Sequence, residues 1–141
     1  MFPTPLFTIR SLRSTSVLAR VLLVLFGISG LAKAAPPDLT AGGVPNEDPA
    51  RTINLGPTGL RGWVYHVKAD TSESRQILVK EVDAGSPAAG LLAVDDVILG
   101  ADGTGATPLN FATDARRSFA EAIAEAEASN PAILKVIRWR A

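Results

Sequence analysis

The sequence predicts a small α+β domain on three observations. Two apolar runs, at residues 77–82 and 97–99, lie between turn residues, as strands do. Residues 115–128 hold six alanines, and an apolar stripe of Phe119, Ala122, Ile123 and Ala126 recurs at spacings of three and four, which favours a helix. Residues 133–139 form a further strand with apolar side chains on both faces. A chain of 141 residues accommodates one domain once a leader is removed.

The segment between the first two runs is rich in turn residues. Asp83-Ala84-Gly85 predicts a turn, because glycine permits backbone conformations that a β-carbon opposes. Ser86-Pro87 predicts the start of a short helix, with a hydroxyl cap and proline at the first helical position. Gly90 ends this helix early, and Asp95-Asp96 opens the second strand.

The segment runs in the order strand, Gly-Ser-Pro-Ala turn, short helix, Asp-Asp-Val-Ile and strand. This order resembles the PDZ domain, in particular its bacterial secreted forms. The resemblance covers about residues 54–140, and Asp95 stands where that family usually has glycine. It implies an α+β fold: a small, partly open antiparallel β-barrel or sandwich of five to six strands, with one short and one long helix.

The N-terminus has the organisation of a signal peptide. Residues 1–20 are basic and contain no acid, and residues 21–32 form an apolar run of 12 residues, too short to span a bilayer. Ala32-Lys33-Ala34 supplies the small residues of a cleavage site, so we expect residues 1–34 to be removed. The alternative is an uncleaved anchor. We expect an exported protein, periplasmic or extracellular, that contacts the membrane only through this leader before cleavage.

Residues 35–50 are rich in proline, glycine and acids, and they predict a disordered, mobile linker before a domain at residues 51–141. Outside the leader, ten basic residues face 14 acidic residues, so the secreted part is acidic. Nucleic-acid binding requires clustered basic residues, and we therefore expect no nucleic-acid partner.

The residue types present argue against an enzyme. The chain has no cysteine, which excludes disulfides and thiolate metal sites, and its one histidine is His66. No Gly-x-Ser-x-Gly motif accompanies that histidine. Asp95 and Asp96 are adjacent in a predicted strand, so their side chains point to opposite faces rather than to one metal ion. We expect no catalytic residues, no metal and no cofactor.

A glycine-rich stretch at residues 56–62 precedes a predicted strand at residues 63–67. In the PDZ resemblance this stretch holds the position of the loop whose amides bind a ligand carboxylate. The alternative is a simple turn before a strand. The resemblance implies three groups of binding residues. They are Leu60, Arg61, Gly62 and Trp63 in the loop, Val64 and Tyr65 on the strand, and Arg116, Ala120 and Ile123 on the helix.

We therefore expect a module that binds protein C-termini or extended peptides by strand addition, in a groove between the strand at 63–67 and the helix at 115–128. The alternative is a structural or regulatory module without a ligand of its own, such as the N-terminal piece of a larger exported protease or secretion component. The predicted core consists of Ile77, Val79, Val82, Leu92, Val97, Ile98, Phe119 and Ile123.

Overall fold

The computed structural model describes residues 35–45, 51–65 and 73–141. The predicted signal peptide, the end of the linker at residues 46–50, and His66 lie outside the described residues. Residues 35–141 form one compact unit.

The described residues form a five-stranded antiparallel sheet in which the strands lie side by side in chain order. The strands are β1 (Ile53–Asn54), β2 (Leu60–Val64), β3 (Ile77–Val82), β4 (Val97–Asp102) and β5 (Lys135–Trp139). β1 and β5 are therefore the two edges of an open sheet. Together with one α-helix in the same residues, this architecture confirms the α+β class.

The helix, α1, spans Ala115–Glu127. Asp114 caps it, because its carboxylate accepts hydrogen bonds from the amides of Arg116 and Arg117. The buried face carries Ala115, Phe119, Ala122 and Ala126. Three of these belong to the predicted stripe, and its fourth member, Ile123, is half-buried. Asn130-Pro131 follows the helix end, as the sequence predicts.

Two elements differ from the expectation. Residues 86–90, predicted to form a short helix, form turns that continue to Leu92, and the carbonyl of Ala88 accepts bonds from the amides of both Leu91 and Leu92. The strand predicted at 63–67 begins three residues earlier, at Leu60, and the structure assigns it up to Val64. Gly62 lies inside this strand, and glycine is required there because a β-carbon would come within 2.5 Å of Ile77 Cγ2.

The main core lies between α1 and one face of the sheet. Of the predicted core, Ile77, Val79, Leu92, Ile98 and Phe119 are buried here, and Val82 and Ile123 are partly buried against them. Six further buried members of this core were not predicted from the sequence. They are Leu55, Leu60, Val64, Ala88, Phe111 and Ala115.

The opposite face of the sheet carries a second cluster made of Leu39, Trp63, Tyr65 and Val97. Alternate residues of a strand point to opposite faces, so Trp63 and Val97 lie here while their neighbours Val64 and Ile98 join the main core. Leu39 is 7% exposed. Residues 35–45, expected to be a mobile spacer, thus pack against the sheet through this side chain.

Asp96, just before β4, is a buried carboxylate held by the residue that follows β5. Arg140 donates from Nε at 2.6 Å and from Nη2 at 2.7 Å, and the amide of Ala93 donates at 2.8 Å. The hydrogen bonds from Arg140 lower the pKa of Asp96. Burial raises this pKa, but the Ala93 hydrogen bond and the positive charges of Arg140 and Arg138 lower it further, so the pKa stays below its ordinary value. Asp95 instead is exposed and has a left-handed φ of 71°.

Replacing Phe119 with alanine should lower the free energy of unfolding by about 3–5 kcal/mol, because the side chain is 1% exposed and its removal leaves a cavity. Chemical denaturation measures the loss. Leu109→Ala is the control, since Leu109 is 80% exposed and should change stability little. Equal effects of the two substitutions would contradict this core.

Asp96→Asn should remove part of the pH dependence of stability. Because the folded-state pKa of Asp96 lies below its ordinary value of 3.8, the carboxylate stabilises the fold above that pH and loses this effect as pH falls through the folded value. The variant should melt lower than the parent near neutral pH and approach it as the pH falls below 3.8 and through the lower folded-state pKa. Melting curves across pH test this, and parallel profiles of parent and Asp96→Asn would contradict it.

Candidate functional site

An apolar groove of about 540 Å³ opens on the helix face of the sheet. Four parts of the fold border it: the loop before β2, the turns at residues 87–92, α1, and β5 with the residues before it. The lining residues are Pro57, Thr58, Leu60, Pro87, Ala88, Leu91, Leu92, Phe119, Ile123, Ala126, Glu127, Ala132, Leu134, Val136 and Arg138.

The sheet curves around this groove. Leu60 begins β2 and Val136 belongs to β5, and two strands separate these elements in the sheet, yet both side chains line the same groove. Alternation along β5 turns Val136 and Arg138 towards the same face. The groove therefore lies where the curved sheet remains open.

The rim of the groove is partly apolar. The Leu91 side chain is 68% exposed there. A single exposed leucine is common on a protein surface, but this one extends the continuous apolar surface of the groove. Arg138 donates a hydrogen bond to the carbonyl of Leu91 and lies 3.6 Å from Asp96. The 87–92 turns are thereby attached to β5, and the groove wall is pre-formed.

The loop before β2 forms the other wall and is tightly bound to the 83–88 segment. The carbonyl of Gly59 accepts from the amide of Asp83 at 2.8 Å, and that of Thr58 accepts from Ala88 at 3.2 Å. Gly59 has a φ of 74°, and a β-carbon there would come within 2.1 Å of Ser86 Cβ. Glycine is required here for this close approach.

The amides expected to converge on a ligand carboxylate have partners within the chain. Leu60 N donates to Thr58 Oγ1 at 3.3 Å, and the amide of Gly56 donates to Asn54 Oδ1 at 2.8 Å. Arg61 and Gly62 lie opposite Asn54 and Ile53 in the β1–β2 ladder. This part of β2 is a paired strand rather than an open loop.

Leu60 and Ile123 are the two predicted binding residues that line the groove. Val64 lies in the main core, whereas Trp63 and Tyr65 lie in the cluster on the opposite face. The structure therefore does not bring the predicted strand residues together with the predicted helix residues at one site.

The remaining predicted binding residues lie outside the groove lining. Arg61 is exposed and lies 3.7 Å from Glu81. Arg116 pairs with Asp114 at 3.1 Å, and Ala120 is exposed.

Sequence reasoning missed Leu91, Leu134 and Val136 as groove residues. Both faces of the last predicted strand carry apolar residues, so its groove face could not be assigned. Leu91 directly follows Gly90, where the predicted short helix ends, and no sequence pattern there distinguishes it from the buried Leu92.

Strand addition requires an edge with free main-chain groups. Within the described residues, β5 pairs with β4 alone, and β2 pairs with both β1 and β3. The edge that borders the groove is therefore that of β5.

In the described part of the chain, no group of three or more histidine, cysteine or acidic residues has the arrangement to hold a metal ion. No helix among the same residues is long and apolar enough to cross a membrane. Comparisons with protein-family models, curated proteins and solved structures found no match for this chain.

Proposed function

We propose that this chain is an exported, PDZ-like peptide-binding module whose ligand places apolar side chains in the groove between α1 and β5. The observation that carries the proposal is the apolar groove of about 540 Å³ with Leu91 exposed at its rim. Extended peptides use such grooves by combining main-chain pairing with side-chain pockets.

The ligand pairs with the outer edge of β5 in this proposal. That edge adjoins the groove, and Leu134 and Val136 place apolar side chains along it. The originally expected position beside β2 is less favourable, because Ile53 and Asn54 already pair with this strand. A ligand there would first have to displace β1.

The preferred ligand is an internal extended segment rather than a free C-terminus. A terminal carboxylate needs several unpaired donors, and the amides of Gly56, Gly59 and Leu60 already have acceptors within the chain. The end of α1 beside the groove carries Glu125 and Glu127 and no basic residue in its last turn. Together with the negative end of the helix dipole, these charges disfavour an anionic group there.

The basic leader, its short apolar run and Ala32-Lys33-Ala34 support export of the module. N-terminal sequencing of the exported chain tests this part of the proposal. A start at Ala35 supports cleavage, and an intact leader in a membrane fraction contradicts it.

The groove predicts a specific effect of Leu91→Asp on peptide binding. Peptides selected from a library of extended sequences should bind this variant about tenfold more weakly than the parent, since part of an apolar contact is lost, and 1.4 kcal/mol corresponds to tenfold in affinity. Calorimetric titration measures the change. Leu91 is mostly exposed, so the substitution should leave the fold intact.

Two matched variants locate the binding site. Leu109→Asp replaces another exposed leucine, one outside the groove lining, and should bind like the parent. Ala120→Asp changes the helix position at the originally expected site and should also bind normally. Loss of binding in Ala120→Asp with retention in Leu91→Asp would contradict the β5 groove and favour the site beside β2.

Amidation of the selected peptide tests whether the free C-terminal carboxylate of the ligand contributes to binding. Equal affinities of free acid and amide are expected for an internal segment. A marked preference for the free acid would contradict this part of the proposal. A library that yields no binding peptide would favour the alternative of a structural or regulatory module without a ligand of its own.

A further inference from the structure

A short N-terminal segment packs against the face of the sheet opposite α1. Residues 35–43, here termed the strap, cross this face and contain a short 3-10 helix at Leu39–Ala41. Asp38 caps this helix by accepting from the amide of Thr40, and its carbonyl accepts from Gly43 at 2.8 Å. Hydrogen bonds within the strap therefore fix its conformation, and the strap is not part of any strand.

The strap is attached to the sheet through one apolar side chain and one amide side chain. Leu39 is buried against Trp63 and Tyr65. Gln76 accepts from the amide of Leu39 at 2.7 Å and donates to Asp38 Oδ1 at 2.9 Å. A pocket for one side chain, with a polar residue that binds the adjacent main chain, is the pattern by which proteins hold extended peptides.

Polar groups beneath the strap are left without partners. Trp63 Nε1 and Ser74 Oγ have no hydrogen-bond partner in the described structure, and both residues are 1% exposed. Both also line a hollow of about 250 Å³ beside Pro36 and Pro37. Buried donors normally find acceptors, so the strap is an imperfect occupant of this face.

We propose that this face is a second peptide-binding site, which the strap occupies in cis and from which a partner peptide displaces it. The partner is an extended segment that supplies an acidic residue followed by leucine, as Asp38 and Leu39 do. It also carries a hydrogen-bond acceptor for Trp63 Nε1 or Ser74 Oγ. This site is separate from the β5 groove and does not depend on ligand binding there.

Hydrogen exchange on the unmodified chain tests whether the strap opens independently of the fold. The amides of Leu39 and Gly43 should exchange at least 100-fold faster than those of Val79 and Phe111, which donate to the carbonyls of Asp96 and Leu99. Equal protection of the two pairs would mean that the strap opens only in global unfolding, and would overturn the proposal.

Binding in trans is tested with the synthetic peptide Ala-Pro-Pro-Asp-Leu-Thr-Ala-Gly-Gly, the sequence of residues 35–43. The recipient is the whole chain carrying Leu39→Ser, which weakens its own strap. Trp139→Phe leaves Trp63 as the one tryptophan, because the chain has two. Peptide binding should shift Trp63 fluorescence to shorter wavelength, since the indole becomes buried again.

A control peptide with serine in place of its leucine should bind the Leu39→Ser chain at least tenfold more weakly than the parent peptide does. The chain that retains Leu39 should also bind the parent peptide at least tenfold more weakly than the Leu39→Ser chain, because its own strap occupies the site. Addition of Leu91→Asp should leave the affinity unchanged, which separates this site from the β5 groove. Absence of peptide binding to a folded Leu39→Ser chain would overturn the proposal.

Two further outcomes also contradict it. If Leu39→Ser prevents folding, the strap is an integral part of the domain and cannot be exchanged. If the unmodified chain forms concentration-dependent dimers in which straps are swapped, the occupant is a second copy and not a separate partner.

Discussion

The contact between Gly103 and α1 determines where the helix lies on the sheet. A β-carbon at Gly103 would come within 2.0 Å of the carbonyl oxygen of Ala122 and 2.5 Å of the amide nitrogen of Ala126, so the two backbones meet without intervening side chains. Ser129 Oγ adds a bond to the Gly103 carbonyl at 3.4 Å. The helix is thus held against the end of β4, and Phe119 reaches the core beneath it.

This placement leaves part of the helix face of the sheet uncovered. In the described residues, one helix of 13 residues packs against β4 of a five-stranded sheet, and the apolar surface between α1 and β5 is covered only partly by the turns at 87–92. The opposite face has its own cover in the strap. Both proposed binding sites therefore arise because a small domain has more apolar sheet surface than regular elements to bury it.

Local patterns in the sequence were sufficient to predict the helix and the strands at residues 77–82 and 97–99, although the second strand continues to Asp102. They failed where a long-range contact decides the structure. The glycine-rich sequence predicts a loop at Gly62, but this residue lies in a strand, and it is glycine because Ile77 on the neighbouring strand occupies the space of a side chain. The burial of Leu39 likewise depends on Trp63, 24 residues later in the chain.

The site was predicted less well than the fold, because its location depends on pairing between strands. Leu60 and Ile123 were identified, but the contribution of β5 was not, since both faces of that strand carry apolar residues.

The backbone conformation of Asp95 is a further feature that the sequence alone did not reveal. It has a φ of 71°, a conformation that favours glycine and that aspartate tolerates better than most residues, at the position where the resembled family usually has glycine.

The central claim is that an extended peptide binds in the groove between α1 and β5. Methyl-detected NMR of the chain during titration with a selected peptide tests it most directly. The account predicts shifts for the methyl groups of Leu91, Ile123, Leu134 and Val136, with little change at Leu78 and Val97 on the opposite face. Shifts confined to Leu78, Val97 and Leu39 would contradict it and place the ligand on the strap face instead.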